Sequence, residues 1–286
     1  SDGYKRQVLG EEGSSAAIRG CRFEGNQADR GGALYASAGT LDIARSAFRG
    51  NFAAYGGGAV DYWFGDLAFR NCLFARNHTS SEGGAVHAFN SRLAAVGCTF
   101  ADNAADQWGG ALALSHFAVI SAENSIFSDN SAEEGAHIWT SDETPVWLRY
   151  SDVTGGPAGI SVGRPEDLHW GPGNIDAEPL FADAVGGDFH LKSQAGRWDP
   201  TQNAWIQDEV TSPCIDAGDP ATSIMHEPFP NGGLVNMGTY GGTAEASKSW
   251  FNAPVCEVII TGDINGDCRV DMGDLAIMAC HWLEVQ

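Results

Sequence analysis

The chain has 286 residues, with 37 Asp and Glu against 16 Lys and Arg, a formal charge of −21. Nucleic acid and anionic membrane surfaces are bound through clustered Lys and Arg, so this balance argues against both as partners. No apolar run approaches the ~18 residues of a membrane helix, and the 37 glycines follow no collagen period, which leaves them to mark turns.

Residues 1–15 read as a short cap or contact segment. Ser1 opens no signal peptide, as expected of a chain whose leader has been removed or of a piece of a longer one. From residue 16 a repeat of about 26 residues sets in. Phe-x-x-Asn recurs at Phe23/Asn26, Phe48/Asn51, Phe74/Asn77, Phe100/Asn103 and Phe127/Asn130, in steps of 25, 26, 26 and 27. Gly-Gly-Ala follows at Gly31-Gly32-Ala33, Gly57-Gly58-Ala59, Gly83-Gly84-Ala85 and Gly109-Gly110-Ala111, and decays in the fifth copy to Glu134-Gly135-Ala136. Apolar residues alternate within each copy: Leu41 and Ile43 before Phe48, Leu67 and Phe69 before Phe74, and Val60/Tyr62 or Leu112/Leu114 after the glycines. That period of two predicts short strands. A leucine-rich repeat has a similar length, but its Leu pattern and helix signals are missing.

The fold class expected is therefore all-β: a right-handed parallel β-helix whose coils stack ~4.8 Å apart, each strand pairing with the coils above and below. Stacking puts Phe on Phe inside and lets the Asn side chains form a hydrogen-bonded ladder at a turn. Two residues before each Phe runs a column of small residues, Cys21, Ser46, Cys72, Cys98 and Ser125. It reads as packing, with a Cys72–Cys98 bridge between adjacent coils as the alternative. The seven cysteines are an odd number, which leaves at least one thiol free unless chains are cross-linked. This F-x-x-N…G-G-A repeat resembles that of bacterial polymorphic outer-membrane proteins and of many secreted β-helix proteins.

Regular coils run to about residue 154, and residues 155–248 read as a looser closing region of the same β-helix. It contains Gly173-Asn174-Ile175-Asp176-Ala177-Glu178-Pro179-Leu180-Phe181, then Ser212-Pro213-Cys214-Ile215-Asp216-Ala217-Gly218-Asp219 and Asn236-Met237-Gly238-Thr239-Tyr240-Gly241-Gly242. This series is similar to the end of the choice-of-anchor β-helix proteins of bacteria, a resemblance that implies export to the cell surface or beyond. Asp216 and Asp219 read as turn-forming carboxylates that accept backbone N–H bonds.

A linker at 249–256 leads to residues 257–286, a calcium loop and a helix. Asp263, Asn265, Asp267, Asp271 and Asp274 fall at loop positions 1, 3, 5, 9 and 12, with the Arg269 backbone carbonyl at position 7. Calcium takes six to eight hard oxygen ligands, and this spacing brings them to one centre. Leu275, Met278, Trp282 and Leu283 then share one helix face. The loop resembles one repeat of a type I dockerin, a calcium-folded tail that docks onto a partner protein. It departs from that pattern in having Cys268 at position 6 and in being single where dockerins have two. A Cys268–Cys280 bridge from loop to helix stays open.

For the site, the outward positions after Gly-Gly-Ala form two columns: Tyr35, Asp61, His87, Ala113 and Ser37, Trp63, Phe89, Ser115. Asp61 and His87 are the catalytic candidates, as neighbours on adjacent coils, and Tyr35, Trp63 and Phe89 are candidates for stacking on sugar rings. No Lys or Arg joins these columns, which disfavours an acidic polysaccharide. Nucleophile, phosphate-loop and zinc motifs are missing. The reading favoured is a secreted or cell-surface structural protein, associated with polysaccharide, adding end to end with its own copies or engaging a surface protein through the calcium tail. The alternative is a polysaccharide lyase or glycoside hydrolase working in a groove of the β-helix.

Overall fold

The computed structural model describes residues 14–141, 143–252 and the isolated positions Gly262, Val270, Met272 and Leu275. The expected calcium ligands Asp263, Asn265, Asp267, Arg269, Asp271 and Asp274, together with Cys256, Cys268, Cys280 and residues 1–13, lie outside the described residues. No helix of the described residues is long and apolar enough to cross a membrane.

The coils wind as the repeat predicts. Strand Thr40–Ala44 leads to Ala47–Arg49, then to Phe52–Tyr55, then to the long strand Val60–Arg70. The second half of Val60–Arg70 lies parallel on Thr40–Ala44 and so begins the next coil. Repetition of this path builds three parallel sheets, of eleven, six and four strands. The eleven-stranded sheet is bent into two legs. The first leg stacks Leu34–Ser37 on the start of Val60–Arg70 and then on Val86–Val96, and the second leg stacks the rest of those strands on Val119–Glu123 and Val146–Arg149.

Two inward columns hold the coils in register. Phe48, Phe74, Phe100 and Phe127 are fully buried. With Phe23 their rings stack at centroid separations of 4.7, 4.8, 4.9 and 4.9 Å and within 8° of parallel. The asparagines form the expected ladder. Asn26, Asn51, Asn77 and Asn103 each donate Nδ2–H to the Oδ1 of the next rung, at 2.9, 2.8, 2.9 and 2.9 Å. The same Oδ1 atoms also accept the backbone N–H of the rung before. The last rung, Asn130, donates Nδ2–H to His137 Nδ1 at 3.1 Å, and the His137 Nε2–H is left to reach the Thr154 carbonyl at 2.6 Å.

The glycine pairs serve a purpose beyond the turn. A Cβ on the second glycine would stand 2.2 Å from the next coil's carbonyl at Gly32, 2.2 Å at Gly58 and 1.9 Å at Gly84. Only a residue without a side chain lets the backbones approach so closely. The following coil replaces this corner with a 3-10 turn, Gly156–Gly159, and there the column's last member is Ala136. The cysteine column is packing, and Cys21, Cys72, Cys98 and Cys214 are free thiols. Cys72 donates to the Ile43 carbonyl at 3.3 Å, and where the column carries Ser46 or Ser125 the hydroxyl accepts a backbone N–H from the rung before, at 3.1 Å in both cases.

The closing region runs along the flank. Residues Phe181–Asp183 and Asp188–Leu191 form an antiparallel pair. Phe181, Phe189, Leu191, Cys214, Ile215 and Met237 pack on the outer face of the six-stranded sheet, against Leu73, Ala75, Ala101 and Ile126. Backbone bonds fix it there: Gly238 N–H donates to Asn124 O at 2.8 Å and Thr239 N–H to Thr99 Oγ1 at 3.0 Å. Asp216 and Asp219 do accept backbone N–H bonds, from Gly232 at 3.0 Å and Ala221 at 2.8 Å.

Two buried carboxyls lie in this region, Glu227 in the flank and Asp152 on the last strand of the six-stranded sheet facing it. Glu227 Oε1 accepts the N–H of Asn236 and of Gly242, both at 2.8 Å. Burial raises its pKa from 4.5 to about 7, against the lowering effect of those two bonds. Asp152, which accepts from the Cys214 thiol at 3.2 Å, is raised by burial from 3.8 to about 6. A raised folded-state pKa means that folding favours the protonated form. The stabilisation is complete below the unfolded values and is lost as pH rises through about 4 to 7.

Asn77→Ala removes the acceptor of Asn51 N–H and Nδ2–H and the donor to Phe48 O. Chemical denaturation should show a loss of about 3 kcal/mol or more for this fully buried rung, and a much smaller loss for Asn26→Ala at the exposed end. Thermal unfolding between pH 5 and pH 8 should show stability falling as the pH rises. Glu227→Gln, which keeps the acceptor oxygen without the ionisable proton, should flatten that fall and raise the melting temperature at the alkaline end.

Candidate functional site

The stacking that builds the core also builds the site. Tyr35 pairs in register with Asp61, and Asp61 with His87, on the outer side of the first leg. The structure brings Asp61 and His87 into contact, with Asp61 Oδ1 2.7 Å from His87 Nδ1. A carboxylate only accepts, so Nδ1 carries the shared hydrogen. The same Oδ1 accepts the Trp63 Nε1–H at 2.9 Å, and Oδ2 accepts from Arg30 Nη1 at 3.2 Å. The pair is not the solvated patch expected from the alternation: Asp61 is 0% and His87 2% exposed. Their cover comes from a column that the sequence reading passed over.

That column is the residue immediately before each glycine pair, Arg30, Gly56, Glu82 and Trp108, and it continues to Glu134, which pairs with Trp108 and so stands one position ahead of the glycine register expected for the fifth copy. Its side chains fold over the first leg. Arg30 reaches one rung along to Asp61 and sits over Trp63, 5.0 Å from the ring centroid. Trp108 stacks on Trp139 at 5.1 Å, and Glu134 accepts from Ser161 Oγ at 2.6 Å. Glu82 Oε1 stands 3.5 Å from His87 Nε2, too far for a firm bond, and Nε2 is buried without a hydrogen-bond partner. Gly56 has no side chain because a Cβ there would stand 2.6 Å from Asp61 Oδ2. The signal was available in the same 26-residue period, one position upstream of the motif. Arg30 thus brings a cation to columns that contain none of their own.

The aromatic candidates separate. Trp63 and Phe89 stack with centroids 4.4 Å apart and planes 20° apart, and both stay partly exposed. Tyr35 lies in the Asp61 column, off that stack. Two unforeseen rings join it at the corner between the legs. Phe64 meets Phe89 edge-on at 5.5 Å, and His116 lies 4.4 Å from Phe89. Phe64 is 46% and the neighbouring Phe117 67% exposed, with backbone φ of 59° and 60°. A bulky residue at positive φ carries a strain of order 1 kcal/mol or more. Trp63, Phe64, Phe89 and His116 are in ring contact as a ridge, and exposed Phe117 follows His116 in the chain.

Two concavities lie elsewhere. One, of about 520 Å³, occupies the seam between the first coils and the flank, with Arg22, Arg45 and Arg49 facing Tyr240 and Glu245. The other, of about 610 Å³, lies on the second leg around Trp147 and Trp170.

With this geometry in place, comparison with known proteins accounts for the coils. Residues 7–165 match the model of the right-handed β-helix region, more than half of the chain. The chain belongs to the right-handed β-helix family. In this β-helix, residues 161–218 also match a model described as disaggregatase related, a stretch that covers the last coil strands and the first part of the flank. No curated protein and no solved structure matches the chain.

Asp61→Ala should lower stability by ~2–4 kcal/mol, because it leaves the buried His87 donor and the part-buried Trp63 donor without an acceptor and Arg30 without its counter-charge. Asp61→Asn should cost less. Its Oδ1 keeps both acceptor roles, while its NH₂ is set against Arg30. Urea unfolding of the two variants measures the difference.

Proposed function

We propose that this β-helix is an extracellular or cell-surface module without catalytic activity, which holds polysaccharide on the aromatic ridge at the corner of the long sheet. The ridge carries the reading. Four rings in contact share one edge with exposed Phe117 next in the chain, Phe64 and Phe117 sit on a strained backbone, and large exposed apolar groups gathered in one patch mark an interaction surface. Pyranose rings present C–H faces that pack on the negative faces of aromatic rings. Every acceptor oxygen of Asp61 is engaged inside the fold, which suits a supporting role beneath the ridge better than proton transfer to a substrate.

End-to-end addition of copies is the second part of the proposal. Strands Ser15–Arg19, Arg22–Glu24 and Gln27–Arg30 pair with a coil on one side only among the described residues, and an open parallel edge accepts another strand. Calcium held by Asp263, Asn265, Asp267, the Arg269 carbonyl, Asp271 and Asp274 would stabilise the C-terminal contact with a neighbouring molecule. The support for that part is the ligand spacing alone.

One observation favours polysaccharide cleavage as a second reading: the His87 imidazole, held at Nδ1 by Asp61, keeps its buried Nε2 without a hydrogen-bond partner and 3.5 Å from Glu82. Incubation of the full chain with a panel of insoluble and soluble polysaccharides separates the two. Binding without new reducing ends or unsaturated products is expected, with retention weakened in Trp63→Ala and Phe64→Ala and unchanged in His87→Ala. Product formed by the wild type and not by His87→Ala would overturn the non-catalytic reading, and no retention of any polysaccharide would overturn the binding itself. Light scattering should show larger species with calcium than with a chelator; a monomer in both would remove the assembly part.

A further inference from the structure

The second leg of the long sheet carries an outward column of its own, in register through Asp42, Ala68, Ala94, Ser121, Trp147 and His169. Its early rungs are short. Its last two are planar rings, and they stack with centroids 3.6 Å apart and planes 11° apart. His169 covers one face of the Trp147 indole. The rung on the other side is Ser121, an exposed residue too small to cover the second face. Trp147 is accordingly 50% exposed. The cavity of about 610 Å³ opens at this point, bounded by Ser121, Trp147, Arg149, His169, Trp170 and Pro172.

Inside the coils, the rings from Phe23 to Phe127 stack without a gap, and the buried side chain of Val153 takes the rung after them. Outside, the Trp147 column breaks off one ring short. The missing member would lie over Ser121, one coil spacing from the indole. What borders that position is polar and close to neutral. Arg149 Nε and Nη2 both donate to Glu123 Oε2, at 3.0 and 2.6 Å. That pairing compensates the guanidinium charge and leaves other N–H groups of Arg149 for a ligand.

We propose that this gap is a saccharide subsite, in which a pyranose ring of an uncharged polysaccharide lies on the open face of Trp147 and fills the place above Ser121. Its C–H face meets the indole, and its hydroxyls bond to the Arg149–Glu123 pair. The charge of −21 on the chain disfavours an acidic glycan, and the compensated ion pair holds no free cation to recruit one. The inference extends the glycan-binding reading to a second face. It depends on different residues from the corner ridge, so the two can fail separately.

The test is calorimetric titration of the full chain with cello-, xylo-, manno- and chito-oligosaccharides and with oligogalacturonate. At least one of the four neutral series should bind. Trp147→Ala should weaken that binding by about tenfold or more. Ser121→Trp, which completes the stack with a protein ring at an exposed position, should abolish it while the thermal unfolding curve stays in place. Trp63→Ala should leave binding at this subsite intact. Unchanged affinity in both Trp147→Ala and Ser121→Trp would overturn the subsite, as would binding of oligogalacturonate in preference to all four, or of none of the five. Loss in Trp63→Ala alone would place all binding on the ridge, rejecting this subsite and leaving the earlier reading standing.

Discussion

The asparagine carboxamide decides how this molecule is put together. In the rungs Asn51, Asn77 and Asn103, Oδ1 takes two hydrogen bonds from the coil before, while Nδ2 gives one to the coil after and one to a Phe carbonyl. A coil that slipped by one residue would lose all four and turn every side chain to the opposite face. Register is thus fixed chemically as well as by packing. Once it is fixed, each position in the repeat becomes a column with neighbours one coil away. The site inherits this: Asp61 touches His87 because 26 positions separate them.

The interior and the flank are closed by different chemistry, and this divides their response to pH. The asparagine ladder of the coils is made of neutral amides, which carry no charge at any ordinary pH. The flank is held together and against the coils through carboxyl groups taken out of water, Glu227 within it and Asp152 on the coil strand that meets Cys214, and their raised pKa values follow from burial. A carboxyl in that position is better tolerated protonated. Proton binding therefore bears on the attachment of the flank more than on the winding of the coils.

Periodicity made much of this legible before any coordinates. The Phe stack, the Asn ladder, the small-residue column and the Asp61–His87 adjacency all follow from a repeat of one length. The burial of Asp61 did not follow, because alternation says only that a side chain points away from the core. It does not say what else lies there. Arg30 covers Asp61 from a corner, in a direction that strand periodicity does not encode, and the absence of a side chain at Gly56 is what admits the carboxylate. The flank was illegible for a different reason. Its contacts join residues such as Asn71 and Gly241, 170 positions apart, with no repeat to relate them. Composition marks the glycine pairs only as turn formers, whereas the second of each is required by the approach of the neighbouring coil.

Columns that keep their pattern are explained by stacking alone. The informative places are those where a column departs from itself. An outward series of Tyr35, Asp61, His87 and Ala113 changes residue type at each rung, and no structural repeat asks for a carboxylate beside an imidazole. Phe64 occupies a corner position whose equivalent in the next coil is Asn90, at φ 46°. Asparagine takes that conformation readily and phenylalanine does not, so the ring has been placed there against the local backbone preference. Trp147 and His169 likewise follow three small residues in their column. In a fold whose inner positions must repeat, selection for binding is left to act on the outer ones, and it leaves its mark as a break in the period.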